Sequence, residues 1–138
     1  MRVGILKEIK AEENRVSMTP AGVEVMKENG HTVLVEKNAG ARSGFEDAAY
    51  AAVGAEIIDE PKEIFQRSEV ILRVKEPMPS EYSLMREGQI YFSYLHLAAS
   101  EQVTRALIIC PISGCLVPKT AASTTLSASS RTVSISAG

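Results

Sequence analysis

Three basic side chains in this sequence are of types that handle small carboxylic acids. Arg15 stands in Glu12-Glu13-Asn14-Arg15-Val16, Lys75 opens Lys75-Glu76-Pro77, and His96 lies within Tyr94-Leu95-His96-Leu97-Ala98. Arginine grips a carboxylate with two parallel hydrogen bonds, and lysine adds a compact positive charge. Histidine exchanges a proton near neutral pH. Together the three suit a small 2-oxo or 2-amino acid, its carboxylate held by the cations and its reacting carbon beside the imidazole. Each residue also has a structural reading. Arg15 fits a solvated partner of Glu12 or Glu13, and Lys75 fits a strand-end lysine whose stem lies along apolar surface. His96, between leucines, fits a hydrogen-bonded structural histidine, and Tyr94, alternating with Phe92, fits a core ring.

Whether these side chains meet depends on the elements that carry them. Residues 2–6 form a short apolar run that reads as a first strand. Thr19-Pro20 starts a helix, with Thr as N-cap and Pro where its missing N–H costs nothing, and Gly30 ends it. Residues 31–36 read as a second strand, and Ser43-Gly44-Phe45-Glu46 as a capping box opening a helix to about Val53. A third strand over 55–58, a helix over 61–67, a fourth strand over 69–74 and a helix over 79–86 follow. A fifth strand covers 89–94, and Ser100 caps a helix over 101–107. Strands alternating with helices at this spacing predict an α/β, Rossmann-like parallel sheet with helices on both faces. In such sheets ligands bind beyond the carboxyl ends of the strands. Arg15 follows the first strand, Lys75 the fourth and His96 the fifth, so all three are expected at one edge.

The same architecture invites a dinucleotide, but the glycines exclude its usual loop. They stand at 4, 22, 30, 40, 44, 54, 88, 114 and 138, with no two separated by a single residue. No G-x-G-x-x-G is therefore present, nor any G-x-x-x-x-G-K. The sheet is expected to serve as a substrate-binding half or as a scaffold.

Composition narrows the classes further. The 138 residues are 45% hydrophobic and 23% charged, with mean hydropathy +0.01, as in a single soluble domain or part of one. A net charge of −2 and a pI near 5.7 leave no basic footprint for nucleic acid. No apolar run approaches the roughly 18 residues of a membrane span. Met1–Glu8 places charge on both sides of a very short apolar run, unlike a secretory signal, so the expected compartment is the cytoplasm. Cys110 and Cys115 suggest neither a disulfide framework nor a metal site. Charge stops abruptly after Leu107: residues 108–138 hold only Lys119 and Arg131, with 7 Ser and 4 Thr. A boundary is expected there, dividing a domain over 1–107 from an irregular Ser/Thr-rich tail over 108–138.

Several stretches then carry a resemblance. Val3-Gly4-Ile5-Leu6-Lys7-Glu8-Ile9-Lys10, Glu13-Asn14-Arg15-Val16 and Thr19-Pro20-Ala21-Gly22 are followed by Gly40 with Ser43-Gly44-Phe45, by Val74-Lys75-Glu76-Pro77 and by Tyr94-Leu95-His96-Leu97-Ala98-Ala99. Over residues 1–107 the sequence resembles the N-terminal part of alanine dehydrogenases, in the family shared with the alpha chain of proton-translocating transhydrogenase. The resemblance implies an NAD-dependent oxidoreductase that interconverts L-alanine with pyruvate and ammonia, a homo-oligomer when complete. It implies that Arg15 and Lys75 bind the substrate carboxylate, that Tyr94 lines the site, and that His96 is the proton donor and acceptor at the substrate carbon. The transhydrogenase branch generally lacks this lysine and histidine pair, so their presence favours the dehydrogenase branch. Beyond Leu107 the family continues with a glycine-rich NAD domain and a catalytic aspartate, which this sequence does not match. A chain truncated in this way is expected to be inactive alone. The alternatives are a non-enzymatic truncated product, a small-acid binding module, or a relative of the transhydrogenase alpha chain.

Overall fold

The computed structural model describes residues 1–109 and 114–116, and shows why the first strand sits at the centre of the molecule. β1 (Arg2–Ile5) is followed by α1 (Pro20–Glu28), β2 (Thr32–Glu36), α2 (Asp47–Ala52), β3 (Glu56–Ile58) and α3 (Pro61–Arg67). β4 (Val70–Lys75), β5 (Ile90–Tyr94), α4 (Glu101–Ile109) and β6 (Gly114–Leu116) complete it. All strand pairs are parallel, in the order β3-β2-β1-β4-β5-β6. The chain builds outward from β1 to β3, then returns to lay β4 against the other edge of β1. The loops leaving β1 and β4 therefore diverge, which opens a crevice at their carboxyl ends.

Alternation along the strands divides the core into two layers. Ile5, Val33 and Val35 pack with Val23 of α1 and Tyr50 of α2 on one face. Leu34 and Ile71 pack with Ile64 and Phe65 of α3 and with Tyr91 on the other. Strands that are apolar on both sides follow from this double cover. α3 lies very close to the sheet at Gly4, where a Cβ would stand 2.4 Å from Ile64 Cγ2 and 2.5 Å from Ser68 Oγ. The first face is covered less completely over β5. Phe92 and Tyr94 are 38% and 40% exposed there, so the core role open to Tyr94 falls instead to Tyr91.

α1 forms as its signals predict. Thr19 Oγ1 accepts the Gly22 N–H at 3.4 Å, Pro20 occupies the first turn, and Gly30 follows the C-cap at φ 77°. The capping box at Ser43–Glu46 does not form. Ala41–Ser43 is a 3-10 turn, Gly44 adopts φ 82°, and α2 starts only at Asp47, with no side-chain bond from its N-cap Glu46. The Ser43 hydroxyl donates instead to the Asn14 carbonyl at 2.7 Å, tying this turn to the loop after β1. The helix expected over 79–86 is a 3-10 turn over Pro79–Leu84.

Past the compositional break, α4 continues to Ile109, and β6 pairs with β5 as a sixth strand beyond the five expected. An irregular tail from residue 108 therefore does not hold at 108–109 or 114–116. Cys110 and residues 117–138 lie outside the described residues. No helix among the described residues is long and apolar enough to cross a membrane.

Candidate active site

The loop after β1 is drawn over the ends of β1 and β4 by buried carboxylates. Glu8 is 4% exposed, and its Oε1 accepts the N–H of Val74 at 2.7 Å and of Lys75 at 3.4 Å. A side chain thus continues the backbone ladder past the end of β1, where the β4–β5 register shifts between Leu72 and Lys75. Arg73, 2% exposed, is bonded to Glu81, donates to the Lys7 carbonyl at 3.1 Å and lies 3.6 Å from Glu8. Burial works against its charge, but Tyr91, Glu81 and Glu8 outweigh it and hold the guanidinium above its ordinary pKa. Burial likewise pushes the Tyr91 phenol up.

Glu12 then turns the loop with φ 63°, and the Glu13 N–H donates to the Lys10 carbonyl at 3.3 Å. That turn sends Glu13 inward. Its side chain is 7% exposed, with Arg15 Nε at 2.8 Å from Oε1, Arg15 Nη2 at 2.6 Å from Oε2 and Lys75 Nζ at 4.0 Å from the same Oε2. The hydrogen bonds from Arg15 overcome burial, Lys75 adds its attraction, and the Glu13 pKa falls to about 2. Arg15 is therefore a partner of Glu13, as one reading allowed, but the carboxylate is buried rather than solvated.

A second carboxylate stands beside the first group. Glu76 binds Lys10 through Oε1 and faces His96 Nδ1 from Oε2 at 3.3 Å. Burial opposes its charge, yet Lys10 and His96 hold its pKa below the usual carboxylate value. His96 turns the chain after β5 in the left-handed region, φ 48° and ψ 40°, and opens the 3-10 turn Leu97–Ala99. Its ring is half exposed.

Arg15 and Lys75 meet on one carboxylate, while Tyr94 is the register partner of Lys75 across β4 and β5. His96 is tied to Glu76, the residue after Lys75. A cavity of about 700 Å³ opens beside them, with Arg15, Tyr94, Phe92 and Leu72 in its wall. Lys75 and His96 are not part of that wall. Sequence reasoning missed Glu8, Glu76, Arg73 and Glu81 and left Glu13 as a surface partner. One signal was present: Arg73 is a charge inside the apolar run Val70–Val74, a position that requires buried counter-charges. Chemically, the arrangement offers two cations for a carboxylate and an imidazole whose Nε2 has no partner among the described residues.

Residues 4–115 match the family described as "Alanine dehydrogenase/PNT, N-terminal domain". The chain is 52% identical over 114 residues to an alanine dehydrogenase of Methanococcus maripaludis, covering 83% of this chain and 31% of that protein. It is 51% identical over 107 residues to an alanine dehydrogenase of Bacillus subtilis, covering 78% and 28% respectively. A solved L-alanine dehydrogenase superposes with TM-score 0.76 at 43% identity, over 79% of this chain and 30% of that one. A transhydrogenase from Sinorhizobium meliloti superposes with TM-score 0.75 at 28% identity, over 81% and 32%. The chain thus spans about a third of the length of these relatives. With the matched residues running through the loop after β1, all of β4 and β5 and the His96 turn, the chain belongs to the alanine dehydrogenase/PNT N-terminal domain family.

Proposed function

We propose that this chain is the substrate-binding domain of an NAD-dependent alanine dehydrogenase, which interconverts L-alanine with pyruvate and ammonia. The observation that carries the reading is the convergence of Arg15 and Lys75 on one buried carboxylate, next to a histidine held by the adjacent Glu76. The two cations take the substrate carboxylate. Glu76 fixes the His96 ring through Nδ1, so Nε2 moves a proton to or from the polar group on the reacting carbon. Tyr94, exposed on the cavity wall, lines the substrate's path.

The residues present do not fit a dinucleotide. The loop from Leu6 to Thr19 has no glycine, and buried Glu8 and Glu13 occupy the place where backbone N–H groups would have to cradle phosphates. NAD therefore belongs to the complete enzyme, and the substrate-binding part to the sheet from β1 to β6 with its covering helices. Such an enzyme is a cytoplasmic homo-oligomer. Identity of 43% against 28% at nearly equal TM-score favours the dehydrogenase over the transhydrogenase.

Titrating pyruvate into the purified chain, followed by NMR, tests the reading. Arg15→Ala and Lys75→Ala should each weaken binding by roughly 1.5–3 kcal/mol, the contribution of a charge-assisted hydrogen bond. An unchanged Kd in both variants would remove the carboxylate assignment.

A further inference from the structure

Glu13 is a carboxylate in the position that a substrate carboxylate needs, against both Arg15 and Lys75. The pairing is built rather than incidental. Three donors from Arg15 converge on it, namely Nε at 2.8 Å, Nη2 at 2.6 Å and the backbone N–H at 3.0 Å. The Lys75 ammonium lies 4.0 Å from Oε2, the oxygen that Nη2 already binds. An exposed ion pair contributes little, but this carboxylate is 7% exposed and has no comparable access to water. A guanidinium offers its donors along distinct edges. Here the Nε/Nη2 edge is taken, while the side chain as a whole is 63% exposed and lines the cavity. Among the described residues Nη1 has no partner, so the edge carrying Nη1 is the one available to a ligand.

We propose that Glu13 is the positioning residue that sets both the orientation and the charge of this site, and thereby selects acids with a single carboxylate. It fixes one edge of Arg15 and turns the other toward the cavity. It also cancels one of the two positive charges, leaving Arg15 and Lys75 with a single unbalanced charge. A ligand bearing one carboxylate neutralises the group, whereas a second carboxylate meets the Glu13 charge without a free cation. The inference rests on the substrate-binding reading above and adds to it the residue that makes two cations act as one site.

The test compares pyruvate with ketomalonate, in which a carboxylate replaces the pyruvate methyl, by NMR titration of the 138-residue chain. Glu13→Gln keeps the shape and removes the charge. It should shift the ratio of the two dissociation constants by about fivefold or more toward the dicarboxylate, the effect of one unit charge about 4 Å away even at the dielectric of water. Glu13→Asp keeps the charge and should retain the wild-type ratio. Phe92→Lys, on the exposed wall of the same cavity, adds a charge without touching the buried carboxylate and should shift the ratio as Glu13→Gln does. It scales the shift that one charge produces on this wall. If Glu13→Gln does not fold, Glu13→Met removes the charge with a side chain of similar length. An unchanged ratio of the two acids in whichever of these Glu13 variants folds would overturn the inference while leaving the substrate-binding reading standing. Failure of the wild-type chain to bind either acid would overturn that reading, and this inference with it.

Discussion

His96 holds a backbone conformation that few non-glycine residues adopt, and it does so beside a carboxylate that orients its ring. Both features suit a proton-transfer group better than a packing one, because half of the side chain is open to solvent. His96→Asn is the informative substitution, since asparagine tolerates the left-handed region and cannot exchange a proton near neutrality. On the proposed function, an enzyme built on this domain should lose about 10²–10⁴-fold in kcat with this substitution. The thermal midpoint should move little. A large loss of stability with near-normal turnover would make His96 structural, and measuring both on one variant separates the outcomes. Arg15, Lys75 and His96 could be assigned to one edge because each follows a strand end. Their carboxylate partners could not. Glu13 turns inward only because Glu12 accepts a positive φ, and Glu76 reaches His96 only through the β4–β5 pairing. The first depends on one backbone angle and the second on strand pairing, and residue type alone dictates neither.

At the scale of elements, the most exacting contact is the seat of α3 on β1. A methyl group at position 4 would overlap Ile64 and Ser68, both fully buried. Gly4→Ala should therefore cost roughly 1–3 kcal/mol, the usual penalty of overpacking a dense core. Chemical denaturation of the chain measures it, and an unchanged midpoint would show that α3 yields freely. The elements themselves were largely legible, because their signals are short-range: apolar runs for the strands, Thr19-Pro20 and Gly30 for α1, Pro61 for α3. The failure at Ser43 shows where such reasoning stops. A serine three residues before a glutamate satisfies the capping-box pattern, but Gly44 at φ 82° breaks the turn between them. The Ser43 hydroxyl instead donates to the carbonyl of Asn14, a residue 29 positions earlier. The compositional break after Leu107 misled in the same way. Charge density describes surface exposure, not pairing, and β6 pairs through its backbone with β5.

For the whole molecule, the site is placed by the sheet order rather than by any one segment, since its loops come from β1, β4 and β5. The first of these loops has no glycine and carries acids where a dinucleotide would need bare backbone N–H groups. The 138-residue chain, purified free of host enzyme, should show no alanine-dependent reduction of NAD. Measurable turnover by it would refute the assignment of the cofactor to other parts of a complete enzyme. The central place of β1 has a further consequence, for the order in which the fold is assembled. Within this sheet β1 comes first along the chain, and β2 reaches one of its edges after a short crossover, with Val3 against Val33. Its other edge waits for β4, with Val3 against Val70. Until then a nascent chain can form only the β1–β2–β3 half, with an unpaired edge on β1, the kind of edge that invites wrong pairing. Closing it needs the long-range contacts that slow folding most. The crevice that gathers Arg15, Lys75 and His96 therefore comes into being late, with the strand that joins the two halves.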